Sequence, residues 1–169
     1  NKHNERHRMK DPVATARVAS ENDQNYLIYR LADVYLMKAE ALIMQDNYEM
    51  AGELIDKTRQ RAGLEKMTLS EDRLIMLEYL LVERQKEFFA EGKNWFDMLR
   101  IGLRSQQLSD VGYKNLFIEQ ALKAVAATSQ SLGRATLSNE GSWYMPFSES
   151  ELQKNPLLVQ SEYYESISN

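Results

Sequence analysis

Three glutamates, Glu83, Glu87 and Glu91, recur at i, i+4 and i+8, a spacing that stacks carboxylates on one face of a helix. Two carboxylates facing each other across a sugar would hydrolyse a glycosidic bond. Carboxylates stacked along a single helix do not flank a substrate, and Arg84 and Lys86 stand close enough to neutralise them. They read as structural ion pairs. His3 and His7, four apart, have the spacing of a two-histidine metal site, but residues 3–7 read His-Asn-Glu-Arg-His and no third ligand is evident. With no cysteine in the chain, disulfides, thiolate zinc sites and cysteine nucleophiles are excluded together. No Gly-rich phosphate loop and no Gly-x-Ser-x-Gly occurs. The pieces of an enzyme are not assembled in this sequence, and neither a metal nor a cofactor is expected.

The elements that would position these residues are helical. At 169 residues, 43% hydrophobic and 27% charged, the chain is long enough for one domain with its own core. Seven Gly and three Pro are few, which favours long helices over a turn-rich β fold. The net charge of −4, with Lys and Arg interleaved among Asp and Glu, weighs against a nucleic-acid partner. No apolar run approaches the ~20 residues that cross a bilayer, and the polar, basic start lacks the hydrophobic core of a signal peptide.

Residues 1–23 show no sustained periodicity and read as an irregular segment; residues 24–169 form the helical domain. A first helix is expected from an N-cap at Asp23 to about Gln45, with Leu27, Leu31, Val34, Tyr35, Ala39, Leu42 and Ile43 at helical spacing. A second follows from Tyr48 to Ala62, with Ala51, Leu54, Ile55 and Thr58 on one stripe and Gly63 after its end. The short Asp46-Asn47 break makes the pair an antiparallel hairpin of tetratricopeptide type, close-packed at Ala39 and Ala51. A long helix capped at Ser70 runs to Glu91, with Leu74, Leu77, Leu81 and Phe88 inward and Gly92 as its stop. A short helix from Asn94 to Gly102 carries Trp95 and Phe96, both expected in the core. One more helix spans Tyr113 to Ser131. Beyond Gly133 periodicity fades; Gly141–Phe147 reads as extended and Ser148–Leu152 as a single helical turn. The fold class is all-α, with helical hairpins and an irregular C-terminal wrap.

Three stretches, in this order, resemble the SusD/RagB family. The first is Arg30-Leu31-Ala32-Asp33-Val34-Tyr35-Leu36-Met37-Lys38-Ala39-Glu40-Ala41, followed by Ile55-Asp56-Lys57-Thr58-Arg59-Gln60-Arg61-Ala62-Gly63-Leu64. The second runs from Glu83-Arg84-Gln85-Lys86-Glu87 through Gly92-Lys93-Asn94-Trp95-Phe96-Asp97-Met98-Leu99-Arg100. The third is Tyr144-Met145-Pro146-Phe147, then Glu149-Ser150-Glu151-Leu152 and Asn155-Pro156-Leu157-Leu158-Val159-Gln160. Phe147 departs from the family's second Pro, and Ser161-Glu162-Tyr163 from its closing Asn-Pro-Gly-Tyr.

The resemblance implies a surface lipoprotein of the outer membrane that captures oligosaccharide or another nutrient and delivers it to a SusC-like TonB-dependent transporter. The matched part is the C-terminal portion, so the lipid anchor and several upstream helices would lie outside it. An array lacking those helices would expose an apolar face on the first helix. The resemblance also makes Glu83, Arg84, Glu87, Gly92, Trp95, Asp97 and Arg100 a structural signature fixing the long helix against the Trp95 helix. Sugar binding needs exposed rings, because the apolar faces of sugars stack on aromatics. The candidates are Trp143, Tyr144, Tyr113 and Tyr163, with Tyr164 and Tyr26 behind them, although Trp143, just before the Pro146 stretch, also suits a packed position. The alternative function is a helical-hairpin scaffold that binds a protein or peptide and never touches sugar.

Overall fold

The structure is a computed structural model, and it describes residues 28–168. Asp23, Tyr26, His3, His7 and the whole of the 1–23 segment lie outside that range. Among the described residues every regular element is helical. In chain order they are α1 (Leu31–Met44), α2 (Tyr48–Arg61), α3 (Arg73–Glu87), α4 (Asn94–Gly102), α5 (Arg104–Leu108), α6 (Val111–Leu122), α7 (Gln130–Leu137), α8 (Glu149–Lys154) and α9 (Glu162–Ser168). Short 3-10 turns occur at Ala127–Ser129 and Glu140–Trp143.

The hairpin of α1 and α2 forms at the expected break. Asp46 takes a left-handed backbone (φ 59°), and the Asn47 side chain accepts from the Met50 amide to start α2. Gly63, at φ +76°, follows α2 in the left-handed geometry that glycine adopts without steric cost. Ala39 and Ala51 are both fully buried, so small side chains let these helices approach. α3 packs across both helices of the hairpin. Its cap is Asp72, not Ser70: the Asp72 carboxylate accepts from the amides of Leu74 (2.7 Å) and Ile75 (3.1 Å), while Ser70 Oγ accepts from Asp72 N one turn earlier. α3 also ends sooner than expected, at Glu87. Ala90 (φ 63°) and Gly92 (φ 72°) are both left-handed, so the chain turns over 88–93 before α4 begins.

The expected inward stripe of α1 is corrected by the structure. Leu31 and Val34 are exposed, and the buried face is Asp33, Leu36, Ala39, Glu40 and Ile43. Apolar residues lie on both sides of this helix, and the arginines described below draw the face carrying the two acids inward. The expected helix over 113–131 is likewise broken, into α6, the 3-10 turn Ala127–Ser129 and the start of α7. Ala126 is extended (φ −57°, ψ 142°), and the Gln130 amide donates to the carbonyl of Val125 (3.2 Å) and, at 3.5 Å, to that of Leu122. A side chain from the next helix thereby satisfies carbonyls at the end of α6.

α4 and α6 meet at a close crossing set by one glycine. A Cβ on Gly102 would lie 2.9 Å from Phe117 Cβ and 3.3 Å from a ring carbon of Trp143. Phe117 in turn packs edge-on against Trp95 (5.5 Å, 73°) and tilted on Trp143 (4.4 Å, 49°). Because the core is close-packed, extra volume at this point must displace backbone or rings. Gly102→Val is expected to destabilise the fold by about 1–3 kcal/mol, read as a lower midpoint in urea unfolding at unchanged slope.

Candidate functional site

The charged signature is brought together inside the helical body. Arg84, on the inner face of α3, is 4% exposed. Its Nε donates to Asp97 of α4 at 2.7 Å and its Nη2 to Asp33 of α1 at 3.1 Å. One guanidinium therefore ties three helices, and Lys93 adds a second cation to Asp33. Arg84 Nη1 has no hydrogen-bond partner among the described residues, but the Phe88 ring centroid lies 4.7 Å from the guanidinium carbon, within cation–π range. A second knot joins α4 and α5 to α1. Arg100 donates to both Glu40 oxygens (3.1 and 2.7 Å) and to Asp97 (3.1 Å), and Arg104 donates to Glu40 at 2.7 Å.

The three stacked glutamates do not share one helix face, because α3 stops before Glu91. Glu83 accepts from the Thr58 hydroxyl at 2.9 Å and lies 3.4 Å from Arg59, both on α2. Glu87 accepts from Arg61 of α2 at 2.6 and 2.8 Å, and Glu91 lies 3.5 Å from Lys93. Among the described residues, the cations paired with them lie on α2 and in the 88–93 turn. Glu83 and Glu87 thus lock α3 to the hairpin, and it is Arg84 with Asp97 that locks α3 to α4. Among the described residues, no group of three or more His, Asp or Glu side chains is placed to hold a metal ion.

Of the aromatic candidates, two are corrected by burial. Trp143 is 1% exposed; it ends the 3-10 turn Glu140–Trp143, so the reading of Gly141–Phe147 as extended fails over 141–143, while Tyr144 is extended (φ −103°, ψ 151°). Its indole N–H donates to the Leu137 carbonyl (2.8 Å), and its own carbonyl accepts from Trp95 (3.3 Å). Tyr113 is 2% exposed in α6, with its hydroxyl 3.4 Å from Arg73. Neither ring can stack on a ligand. Phe96, expected in the core, is exposed, whereas Trp95 is half-buried against Phe117.

Tyr144 and Tyr163 are placed together on the C-terminal wrap. Tyr144 is 50% exposed, and its carbonyl accepts from the Tyr164 hydroxyl at 2.7 Å. Tyr163 and Tyr164 form an edge-to-face pair (4.9 Å, 83°). The Tyr163 Cβ sits 2.6 Å from where a Cβ on Gly141 would be, so only glycine lets α9 seat on the 3-10 turn. Gln160 completes the wrap: its amide accepts from the Phe147 N–H (3.3 Å) and donates to the Phe147 carbonyl (3.0 Å), imitating a strand pairing. Helix α9, which carries the tyrosine pair, has no counterpart in the periodicity reading. The single turn expected over Ser148–Leu152 is α8, capped by Ser148, whose Oγ accepts from Glu151 N at 3.3 Å.

Glu40 is a buried acid held between two arginines. Burial pushes its carboxyl up, but the hydrogen bonds and charges of Arg100 and Arg104 outweigh that and hold it below the usual glutamate range. A depressed carboxylate contributes stability that is complete above its unfolded value, about 4.3, and is lost as pH falls through the folded value. Glu40→Gln should therefore flatten the acid limb of the stability curve below about pH 4.3. At neutral pH it should cost about 1–3 kcal/mol, less than for a fully buried pair because Arg100 keeps access to water. Urea unfolding of both proteins between pH 3 and 7 checks both effects.

Comparison with known proteins places this architecture. The model of the SusD family (SusD_RagB) matches residues 3–164. The SusD-like protein P38 of Formosa agariphila is 32% identical over an alignment of 89 residues, with 48% of this chain and 18% of that protein covered. A crystal structure of a SusD superfamily protein from Bacteroides vulgatus aligns with a TM-score of 0.53 at 30% identity, covering 79% of this chain and 26% of that one. The matched chain spans about a quarter or less of the length of these relatives. With nearly its whole length matched by the family model, and its helical fold by a solved member of the superfamily, the chain belongs to the SusD family.

Proposed function

We propose that this protein binds oligosaccharide at the cell surface and hands it to a SusC-like TonB-dependent transporter of the outer membrane, with a lipid anchor as its attachment. The single observation that carries a sugar-binding role within this chain is the tyrosine surface of the C-terminal wrap. Tyr144 presents a half-exposed ring, and the Tyr163–Tyr164 pair is held edge-to-face beside it by the Tyr164 hydrogen bond. Rings of this kind, fixed by packing and by a satisfied hydroxyl, offer flat apolar area at low entropic cost to a pyranose face. Family membership supports the same reading. The protein acts as a binder rather than a catalyst: the carboxylates that could form an acid/base pair are engaged by Thr58, Arg59 and Arg61 in holding helices together.

One observation favours the scaffold reading as a second possibility. Leu31, Val34 and Met37 are exposed along the outer side of α1, an apolar stripe suited to a further helix. That stripe and the tyrosine surface make separable demands.

Calorimetric titration with starch-, mannan-, xylan- and uronate-derived hexasaccharides checks the sugar reading. At least one should bind, and Tyr144→Ala should weaken it roughly three- to tenfold while leaving the melting temperature nearly unchanged. If none binds, or if Tyr144→Ala binds as the wild type does, the tyrosine surface is not the ligand site.

A further inference from the structure

A cavity of about 490 Å³ lies between α3, α2 and the loop that joins them. Its size falls within the range of small-ligand sites, roughly 300–1,000 Å³. Tyr79, Val82 and Lys86 line it from α3 at i, i+3 and i+7, a spacing that sets them on one helix face. Lys66, Met67 and Thr68 line it from the loop. The loop is tied down at three points. Arg59 Nε donates to the Glu65 carbonyl, and the Met67 amide donates to Asp56, both at 2.9 Å. Leu69 lies so close to α2 that a Cβ on Gly52 would sit 2.4 Å from its methyl group. A wall fixed in this way spares a guest the entropy of ordering it.

The lining divides into an apolar part and a cationic part. Tyr79 is 42% exposed, and Met67 and Val82 are half-buried, so a guest meets one ring and two apolar side chains. Lys66 and Lys86 are exposed, and among the described residues they carry neither an ion pair nor a hydrogen bond. The carboxylates of the same lining are already engaged. Glu83 accepts from Thr58 and Arg59, and Glu78 accepts from Gln120 (2.9 Å) and Lys123 (3.0 Å). Arg59 is taken up by Glu83 and the Glu65 carbonyl. In a chain of net charge −4, two unpaired ammonium groups at one cavity leave that place short of negative charge.

An apolar contact beside two ammonium groups describes a guest that is apolar at one end and anionic at the other. The same lining limits the charge of that guest. Lysine offers a point charge and not the planar fork that grips a phosphate at two points, and the guanidinium of Arg59 is engaged. Glu78 and Glu83 would repel a second negative charge. We propose that this cavity binds a small aromatic carboxylate, its ring against Tyr79, Met67 and Val82 and its carboxylate met by Lys66 and Lys86. The lysine stems are long and rotatable, so both can turn to one anion in the cavity they share. The cavity shares no residue with the tyrosine surface, so either site can fail without the other.

The test is a ¹H–¹⁵N titration of the full chain with benzoate, to about 100 mM at constant ionic strength, since a single-ring ligand binds in the millimolar range. Saturable shifts are expected at the amides of Lys66, Met67, Thr68, Tyr79 and Val82, with the buried Trp143 indole as the internal reference. Acetate has the charge without the ring, benzyl alcohol the ring without the charge, and methyl glucuronide the charge on a sugar. Each should bind at least about fivefold more weakly than benzoate. Lys66→Gln and Lys86→Gln should each weaken benzoate roughly two- to fivefold, and Tyr79→Leu, which keeps apolar volume but removes the ring, by a similar factor. Lys38→Gln removes an exposed lysine of α1 outside the cavity and should leave binding unchanged. The proposal is overturned if benzoate gives no saturable shift at the cavity, or if any of the three other ligands binds as tightly. It is equally overturned if any of the three cavity variants binds as the wild type does. Weaker binding in Lys38→Gln would also overturn it, by tracing the effect to overall charge.

Discussion

The arrangement of this protein depends on one guanidinium. Arg84 sits where α1, α3 and α4 converge, and its planar fork reaches Asp33 and Asp97 at once. A lysine would present its donors from one freely rotating ammonium and not from a rigid planar fork, so it would not fix both directions at once. Burying three charges is costly, and a well-packed apolar cluster of the same volume could hold these helices at least as firmly. What the ionic version adds is direction. Leucines would tolerate α4 rotated or slid along α3, whereas Asp97 must meet Nε and Asp33 must meet Nη2. Lys93, Arg100 and Arg104 extend the same logic, so that α1 is pinned at Asp33 and again at Glu40.

That pinning positions the tyrosine surface. α4, once fixed by Asp97, sets Trp95 against Phe117, and Phe117 receives Trp143. Gly102 lets α4 and α6 close to a distance no side chain would permit. Trp143 then anchors the C-terminal wrap from within, and the next residue, Tyr144, is the first to emerge. The buried aromatics are therefore not the binding residues; they are the footing on which the exposed ones stand.

Much of this was legible in the sequence, and the failures have physical causes. The hairpin break, α2 and α4 follow from periodicity and from residues that force turns, so their bounds are close to those expected, whereas α1 starts at Leu31, with residues 28–30 outside any helix, and not after Asp23. The inward face of α1 was misread because hydrophobic count favoured Leu31 and Val34, while two acids with arginine partners on distant helices decided the outcome. Such pairings, separated by 51 and 60 residues, leave no local trace. The break after α6 has neither Gly nor Pro to mark it, since the terminator is the Gln130 side chain. Trp143 and Tyr113 were placed among candidate binding rings because aromatic type does not reveal exposure.

The central claim, that one buried arginine specifies how the helices meet, is tested most directly by a double-mutant cycle on Arg84 and Asp97. Urea unfolding of the wild type, Arg84→Met, Asp97→Asn and the double variant yields the coupling energy. The account predicts a coupling of about 1.5 kcal/mol or more, with the double variant less destabilised than the sum of the singles. Additivity within about 0.5 kcal/mol would contradict it, and would show that apolar packing alone sets the helix geometry.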